Sequence, residues 1–218
     1  MGAKTMQIRQ VQKALEQIGE IPVTSSVLAS ALGDVVNIND KIRRMEQAEE
    51  VIRLKRGLYV VSPDITRKPL SLELIANQLY SPSYLSCLSA LRFYGLTPEA
   101  VYQTQSMTIK HARTFETPIG VFAYSNVARE VFPVGVTNIT RNGYAFVIAT
   151  PEKALCDLIA VSPQVNLRYQ TDAQRYLEED IRLDMDAFSK MNPDIFYEYA
   201  RIGKKKTSIQ TLIKLLSR

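Results

Sequence analysis

The sequence has few of the residues on which disulfide scaffolds, metal centres and membrane anchors depend. Its 218 residues include two cysteines and one histidine, and no apolar run approaches the ~20 residues that a membrane-spanning helix needs. Cys87 and Cys156 lie within apolar helical patterns, so we expect buried, reduced thiols rather than a disulfide or a metal site. The first residues also lack the apolar core of a secretory signal, which predicts a cytoplasmic protein without a membrane partner.

Recognisable catalytic motifs are missing as well. The chain contains no Walker loop, dinucleotide-binding fingerprint, paired CxxC or HExxH. His111, flanked by basic residues in an expected turn, is better explained as a surface or phosphate-facing side chain than as a catalytic base. Asp184-Met185-Asp186 has the spacing of paired metal-binding carboxylates but no upstream Gly-Ser loop, and Asp186 is expected to cap a helix over residues 187–191. We therefore predict no catalytic residue, no metal site and no cofactor.

Charge is distributed unevenly along an otherwise ordinary globular composition. The formal net charge is +5. Residues 1–70 carry 11 Lys and Arg against 8 Asp and Glu, residues 151–200 carry 5 against 10, and residues 201–218 carry 6 against none. Basic ends suit a polyanionic partner, whereas the acidic segment suits either a basic protein or solvent.

The first 62 residues predict three helices followed by a basic hairpin. Apolar spacing and turn residues indicate helices over residues 6–18, 25–32 and from residue 38 onward, then strands over residues 51–54 and 58–61. Asn37 is a suitable N-cap for the third helix, and Gly57 supplies the positive φ that a tight hairpin needs. This order of elements is that of a winged helix-turn-helix domain.

The outward side chains of the third helix and of the hairpin turn are of the types that contact duplex DNA. Arg pairs with guanine and Asn or Gln with adenine, while Lys and Arg also neutralise phosphates. Charged helix faces and basic turns are each common on proteins that bind no nucleic acid, so the winged-helix order is what favours this interpretation. The candidate DNA-binding residues are Asn39, Arg43, Arg44, Gln47, Lys55 and Arg56.

The rest of the chain predicts a second domain after a short linker. Pro63 and Pro69 mark the boundary, so we expect a DNA-binding domain over residues 1–62, a linker over 63–70 and an effector domain over 71–218. In that last domain we expect helices over 71–80 and 83–94, β-rich runs from Val101 to Ala149 around an Asn142-Gly143 hairpin, and a helix opened by Thr150-Pro151. The predicted fold class is α+β: a winged helix-turn-helix, then a mixed α/β domain with a small, mostly antiparallel sheet and a helical C-terminal end.

The C-terminal tail combines an apolar stripe with basic residues. We expect the stripe to dock the last helix on the domain through Ile209, Leu212, Ile213 and Leu216. A solubilising end is one interpretation of the charges. The other is contact with DNA flanking the operator, or with RNA, through Lys204, Lys205 and Lys206.

Three sequence blocks resemble the AbiEi family, the antitoxins of the AbiE abortive-infection (type IV) toxin–antitoxin systems. They are IRLKRGLY at 52–59, YLSCLSALRFYGL at 84–96 and IATPEKALCD at 148–157, and the resemblance covers about residues 6–160 in the family's order. It implies a winged helix that represses its own operon at inverted repeats. It also implies a C-terminal domain that counteracts a nucleotidyltransferase-type toxin without forming a stable complex with it.

Two other functions stay open at this point. The chain could be a stand-alone winged-helix transcriptional regulator whose C-terminal domain binds a ligand or a protein. It could also carry a nucleotidyltransferase-like enzyme in that domain, which clustering of Asp157, Asp184 and Asp186 around a cleft would favour. The polar residues inside the apolar blocks are expected to form an interhelical ion pair rather than a site; they are Arg92, Glu152, Lys153 and Asp157.

Overall fold

The computed structural model describes residues 2–33, 37–99 and 102–217, with side chains from residue 10 onward. The protein is a mixed α/β structure with one sheet of three antiparallel strands and one of six strands. Val101, where the β-rich region was predicted to begin, lies outside the described ranges. None of the helices within those ranges has the length and apolar character to cross a membrane.

The N-terminal part has three helices beside the smaller sheet. Its elements are α1 Gly2–Ile18, β1 Val23–Thr24, α2 Ser25–Leu32, α3 Ile38–Gln47, β2 Val51–Lys55 and β3 Leu58–Val61. Thr24 and Asn37 begin α2 and α3, because each side chain accepts a hydrogen bond from a backbone N–H in the first turn. Ile42 and Met45 are buried, which turns the opposite face of α3 toward solvent. The three predicted helices and the hairpin are therefore confirmed as elements.

The larger sheet and eight further helices make up the rest of the described chain. The elements are α4 Pro63–Thr66, α5 Leu72–Leu79, β4 Ser83–Leu85, α6 Cys87–Phe93, β5 Gln103–Thr108, β6 Arg113–Thr117, β7 Gly120–Asn126, β8 Val136–Arg141, β9 Tyr144–Ala149, α7 Pro151–Val161, α8 Gln170–Arg175 with a π-helical turn Tyr176–Asp180, α9 Met185–Phe188, α10 Pro193–Ile202 and α11 Lys206–Leu216. Asn142 and Gly143, at φ 53° and 88°, form the predicted turn between β8 and β9. Thr150 caps α7 as predicted.

The strand order of the larger sheet is β6-β7-β5-β4-β9-β8. The pairs β6-β7, β4-β5 and β8-β9 are antiparallel, whereas β5-β7 and β4-β9 are parallel. The sheet is thus larger and more mixed than the small, mostly antiparallel one that the sequence predicts. The parallel pairs join strands that are not consecutive in the chain, so no turn between them marks their pairing in the sequence.

Two local predictions were wrong. The helix expected over residues 83–94 begins only at Cys87, because Ser83–Leu85 form a central strand between β5 and β9. A short apolar run of this kind fits a buried strand as well as a buried helix. Asp184, rather than Asp186, is the N-cap of α9, since its Oδ1 accepts a hydrogen bond from Ala187 N at 3.0 Å.

The basic hairpin packs against the larger sheet. A shared apolar cluster joins β2 and β3 to α5 and β7 through Leu54, Leu58, Val60, Ile75, Ala76, Leu79, Phe122 and Tyr124. Glu20, at the end of the first helical region, also contacts Tyr144 of β9 and Lys68. The division of the chain at residues 63–70 stays a prediction. The residues before and after that segment share an apolar core. The segment itself includes the short helix α4.

A fully buried ion pair lies at the centre of the C-terminal core. Lys153 Nζ and Asp157 Oδ1 are 3.2 Å apart on α7, with neither side chain exposed. Further hydrogen bonds reach Asp157 from Ser86 at 2.8 Å, Tyr84 at 3.0 Å and Tyr199 at 3.1 Å, and Lys153 donates to the Val131 carbonyl at 3.0 Å. Burial raises the pKa of Asp157 and lowers that of Lys153, while their contact opposes both shifts. The predicted interhelical pair is therefore wrong, because these charges pair within one helix.

We expect Lys153→Met to lower the free energy of unfolding by about 3–5 kcal/mol, because it leaves Asp157 buried without its counter-charge. Adding Asp157→Asn should recover at least half of that loss, since the amide carries no charge, keeps one acceptor oxygen for a hydroxyl and can donate from its NH2 to the oxygen of another. Urea denaturation measures both variants, with the exposed Lys190→Met as the control. A Lys153→Met protein as stable as the wild type would contradict the structural role of the pair.

Candidate nucleic-acid interface

The outward face of α3 presents the four side chains expected there. Asn39, Arg43, Arg44 and Gln47 are all exposed. Asn39, Arg43 and Gln47 recur every fourth residue, so they lie along one face of the helix. Arg43 forms a surface ion pair with Asp40, 3.4 Å between Nη2 and Oδ1, with the two side chains 69% and 48% exposed. Such an exposed pair is weak, so it leaves the guanidinium available to another anion.

The two cations predicted at the hairpin turn, Lys55 and Arg56, lie in different environments. Arg56 is exposed beside Gly57, whose φ of 78° allows the turn. Lys55 is half-buried, and its Nζ donates a hydrogen bond to the carbonyl oxygen of Leu79 at 2.6 Å. Arg53 on β2 is also exposed, although the sequence did not single it out. The in-and-out alternation of the strand could have identified it.

Lys55 belongs to a cationic cluster where the hairpin meets the larger sheet. We call Lys55, Lys110 and Arg113 the junction cluster. Burial lowers the pKa of Lys55, and the positive charges of Lys110 and Arg113 lower it further. Lys110 Nζ lies 5.1 Å from the Tyr80 ring centre, and the Arg113 guanidinium lies 4.7 Å from that of Phe115. Within the described ranges none of the three cations forms an ion pair, although Lys110 Nζ donates a hydrogen bond to the carbonyl oxygen of Ser81 at 2.5 Å.

Sequence reasoning placed no site residue on β6. Lys110 and Arg113 are exposed on either side of His111, which is also exposed and is the histidine predicted to face solvent or phosphate. Their approach to the hairpin depends on the packing of β2 against β6. These strands are about 60 residues apart in the chain, so no local pattern brings them together.

The three tail lysines have different surroundings. Lys204 and Lys206 are exposed. Lys205, at φ 53°, donates from Nζ to the carbonyl oxygens of Ser162 at 2.7 Å, Pro163 at 3.1 Å and Val165 at 2.5 Å. Its ammonium therefore ties the start of α11 to the loop after α7. The expected docking of α11 is confirmed, with Ile209, Leu212 and Ile213 buried and Leu216 partly buried.

The residues considered for catalysis do not converge. Asp157 is buried in the core network, whereas Asp184 and Asp186 are exposed. The three carboxylates therefore do not line a common cleft. In the part of the chain that the structure describes, no group of three or more His, Cys, Asp or Glu is placed to hold a metal ion. Cys87 and Cys156 are buried free thiols, as predicted.

Comparisons with known proteins identify a fold relative but no family. No protein-family model matches the chain, and no curated protein matches it. The chain is similar in structure to the crystal structure of the Rv2827c protein from Mycobacterium tuberculosis, with a TM-score of 0.50 and 13% sequence identity. The match covers 97% of this chain and 81% of that one. At this identity the likeness concerns the fold alone, and the AbiEi resemblance stays a prediction.

Substitution of Lys55 should change the free energy of unfolding more than substitution of Arg56. Lys55→Ala is expected to lower the free energy of unfolding by about 1 kcal/mol, because it removes a charged hydrogen bond at the end of α5 that is partly screened by solvent. Arg56→Ala should stay within about 0.5 kcal/mol of the wild type, as exposed positions generally do. Urea denaturation provides the comparison. Equal effects of the two substitutions would mean that the bond to Leu79 does not anchor the hairpin.

Proposed function

We propose that this protein binds duplex DNA in the cytoplasm and represses transcription, with residues 1–62 forming a winged helix-turn-helix domain. The observation that carries the proposal is the exposed face of α3, which presents Arg43 and Arg44 together with Asn39 and Gln47. An α-helix fits the major groove, and these side chain types hydrogen-bond to base edges. The order α1-β1-α2-α3-β2-β3 supports the assignment, because the hairpin follows α3, the proposed recognition helix, as a wing.

The hairpin contributes in two ways in this proposal. Arg56, exposed at the tip, neutralises a phosphate beside the groove. Lys55 serves mainly as an anchor, since its ammonium already donates to Leu79. Lys110 and Arg113 of the junction cluster lie next to Lys55 and remain exposed, so they extend the positive surface from the wing toward the larger sheet. We therefore include Arg113 among the residues that hold the flanking DNA backbone, whereas the Lys110 ammonium already donates a hydrogen bond to the carbonyl oxygen of Ser81.

We further propose that the protein is an antitoxin that counteracts a nucleotidyltransferase-type toxin and represses its own operon at inverted repeats. The support is the AbiEi resemblance, whose second and third blocks pack together. Tyr84 and Ser86 of one block bind Asp157 of the other through their hydroxyl groups. The two blocks thus contribute to one structural unit. A stable complex with the toxin is not part of the proposal.

The DNA-binding proposal is tested with Arg43→Ala and Arg44→Ala. If either side chain pairs with a base, its removal should weaken binding to the DNA upstream of the protein's own gene by about 1–3 kcal/mol. Arg56→Ala should weaken all sequences alike and reduce the slope of log affinity against log salt by about 0.9. Fluorescence anisotropy titrations at several salt concentrations measure both effects.

The matched control is Arg175→Ala, which removes an exposed arginine from α8. It should leave both affinity and salt slope unchanged, because α8 shares no residue with the proposed interface. An Arg43→Ala/Arg44→Ala protein that binds this DNA with full affinity would refute α3 as the recognition helix.

The antitoxin proposal is tested by growth of cells that express a nucleotidyltransferase-type toxin encoded beside this protein. Co-expression of the full chain should restore growth. The Arg43→Ala/Arg44→Ala protein, expressed from an unrelated promoter, should still protect, because it loses DNA binding alone. A protein that represses its operon but gives no protection would be a stand-alone transcriptional regulator.

A further inference from the structure

A groove of about 510 Å³ lies between α10 and α11. All its lining residues belong to these two helices, so it shares no residue with α3 or the hairpin. Ala200 and Ile213 form an apolar floor, and both are buried. Tyr197 also lines the groove, with 57% of its surface exposed, and so does Gln210. The volume is within the range of small-molecule sites, about 300–1,000 Å³.

The groove is lined by cations from both helices. Arg201 belongs to α10, whereas Lys206 and Lys214 belong to α11, and all three are exposed. No acidic residue is among the groove's lining residues. The ion pairs found among residues 2–33, 37–99 and 102–217 involve none of these three side chains. Three positive charges therefore line one groove to which the described part of the chain contributes no acidic side chain.

The neighbouring lysines do not have this arrangement. Lys205 is occupied by three carbonyl oxygens, and Lys204 is exposed but does not line the groove. Only Lys206 of the predicted tail contacts lies on the groove wall. The groove is therefore defined by the packing of α10 on α11 and not by the run of lysines in the sequence.

We propose that this groove binds a nucleoside di- or triphosphate group. Arg201, Lys206 and Lys214 would neutralise the phosphate chain, whose negative charge is of similar size to theirs. The exposed ring of Tyr197 offers a face on which a base can stack. Gln210 carries both a hydrogen-bond donor and an acceptor for a base edge. This site is independent of the proposed DNA-binding function, since it uses none of the same residues.

The same chemistry has two sources, a free nucleotide and the phosphorylated 5′ end of a nucleic-acid strand. Isothermal titration calorimetry of the full chain with ATP, adenosine and inorganic triphosphate tests the site itself. A single-stranded oligonucleotide with a 5′-triphosphate, compared with its 5′-hydroxyl form, tests the second source. Binding of the triphosphorylated strand more tightly than ATP would support a strand end as the ligand, and the reverse order would support the free nucleotide.

Wild-type protein should bind ATP saturably with one site and bind adenosine or inorganic triphosphate more weakly. Arg201→Ala and Lys206→Ala should each weaken ATP binding at least about 5-fold, as expected for loss of a charge-assisted contact. Tyr197→Leu should weaken it roughly 5- to 150-fold if the base stacks on the ring. Lys204→Ala is the matched control, because it removes the same charge two residues from Lys206 but outside the groove.

The controls separate this proposal from its alternatives. All substituted side chains are exposed, so unchanged melting temperatures should confirm that each variant folds. The Arg43→Ala/Arg44→Ala protein should bind ATP like the wild type, which distinguishes the groove from α3. Absence of saturable binding of both ATP and the 5′-triphosphorylated strand would overturn the site. Equal losses in Lys204→Ala and Lys206→Ala, or inorganic triphosphate binding as tightly as ATP, would overturn recognition of a nucleotide in the groove.

Discussion

The buried ion pair between Lys153 and Asp157 is the interaction on which the C-terminal core depends. Asp157 accepts hydrogen bonds from β4, from the residue that precedes α6 and from α10, while Lys153 donates to the loop between β7 and β8. A buried charge that loses its partners costs several kcal/mol, so each of these segments is held against α7. The network therefore helps to hold α10, and with it one wall of the groove between α10 and α11, against α7.

The second constraint is the docking of the basic hairpin on the larger sheet. Leu54, Leu58 and Val60 pack with residues of α5 and β7, and Lys55 binds the last carbonyl of α5. The hairpin is therefore not an isolated projection from the N-terminal helices. In the proposed DNA complex, the wing would have its orientation set by the C-terminal part of the protein. The recognition helix, the wing and the larger sheet would then belong to one packed unit.

Several lysines in this protein serve as hydrogen-bond donors to carbonyl oxygens rather than as free surface charges. Lys55 binds Leu79 at the end of α5, Lys205 binds Ser162 at the end of α7, and Lys110 binds Ser81. The carbonyl groups at helix ends lack partners within the helix, and an ammonium group satisfies them. A count of basic residues in the sequence therefore overstates the surface that is free for phosphate. The exposed arginines of α3, the hairpin tip and α10 are better candidates.

The sequence by itself determined the helix caps at Thr24, Asn37 and Thr150, the Asn142-Gly143 turn, and the apolar faces that α3 and α11 bury. Most elements and the outward face of α3 could therefore be predicted. Both partners of a cap or a turn lie within a few residues, and a helix repeats its buried face every few residues. Only the tertiary structure decided that residues 83–85 form a strand, that β6 pairs at the sheet edge, and that Lys55 is an anchor. Lys55 and Leu79 are 24 residues apart, and Tyr84 and Asp157 are 73 apart. Contacts over such separations depend on how the elements pack, because the chain near either residue carries no mark of its partner.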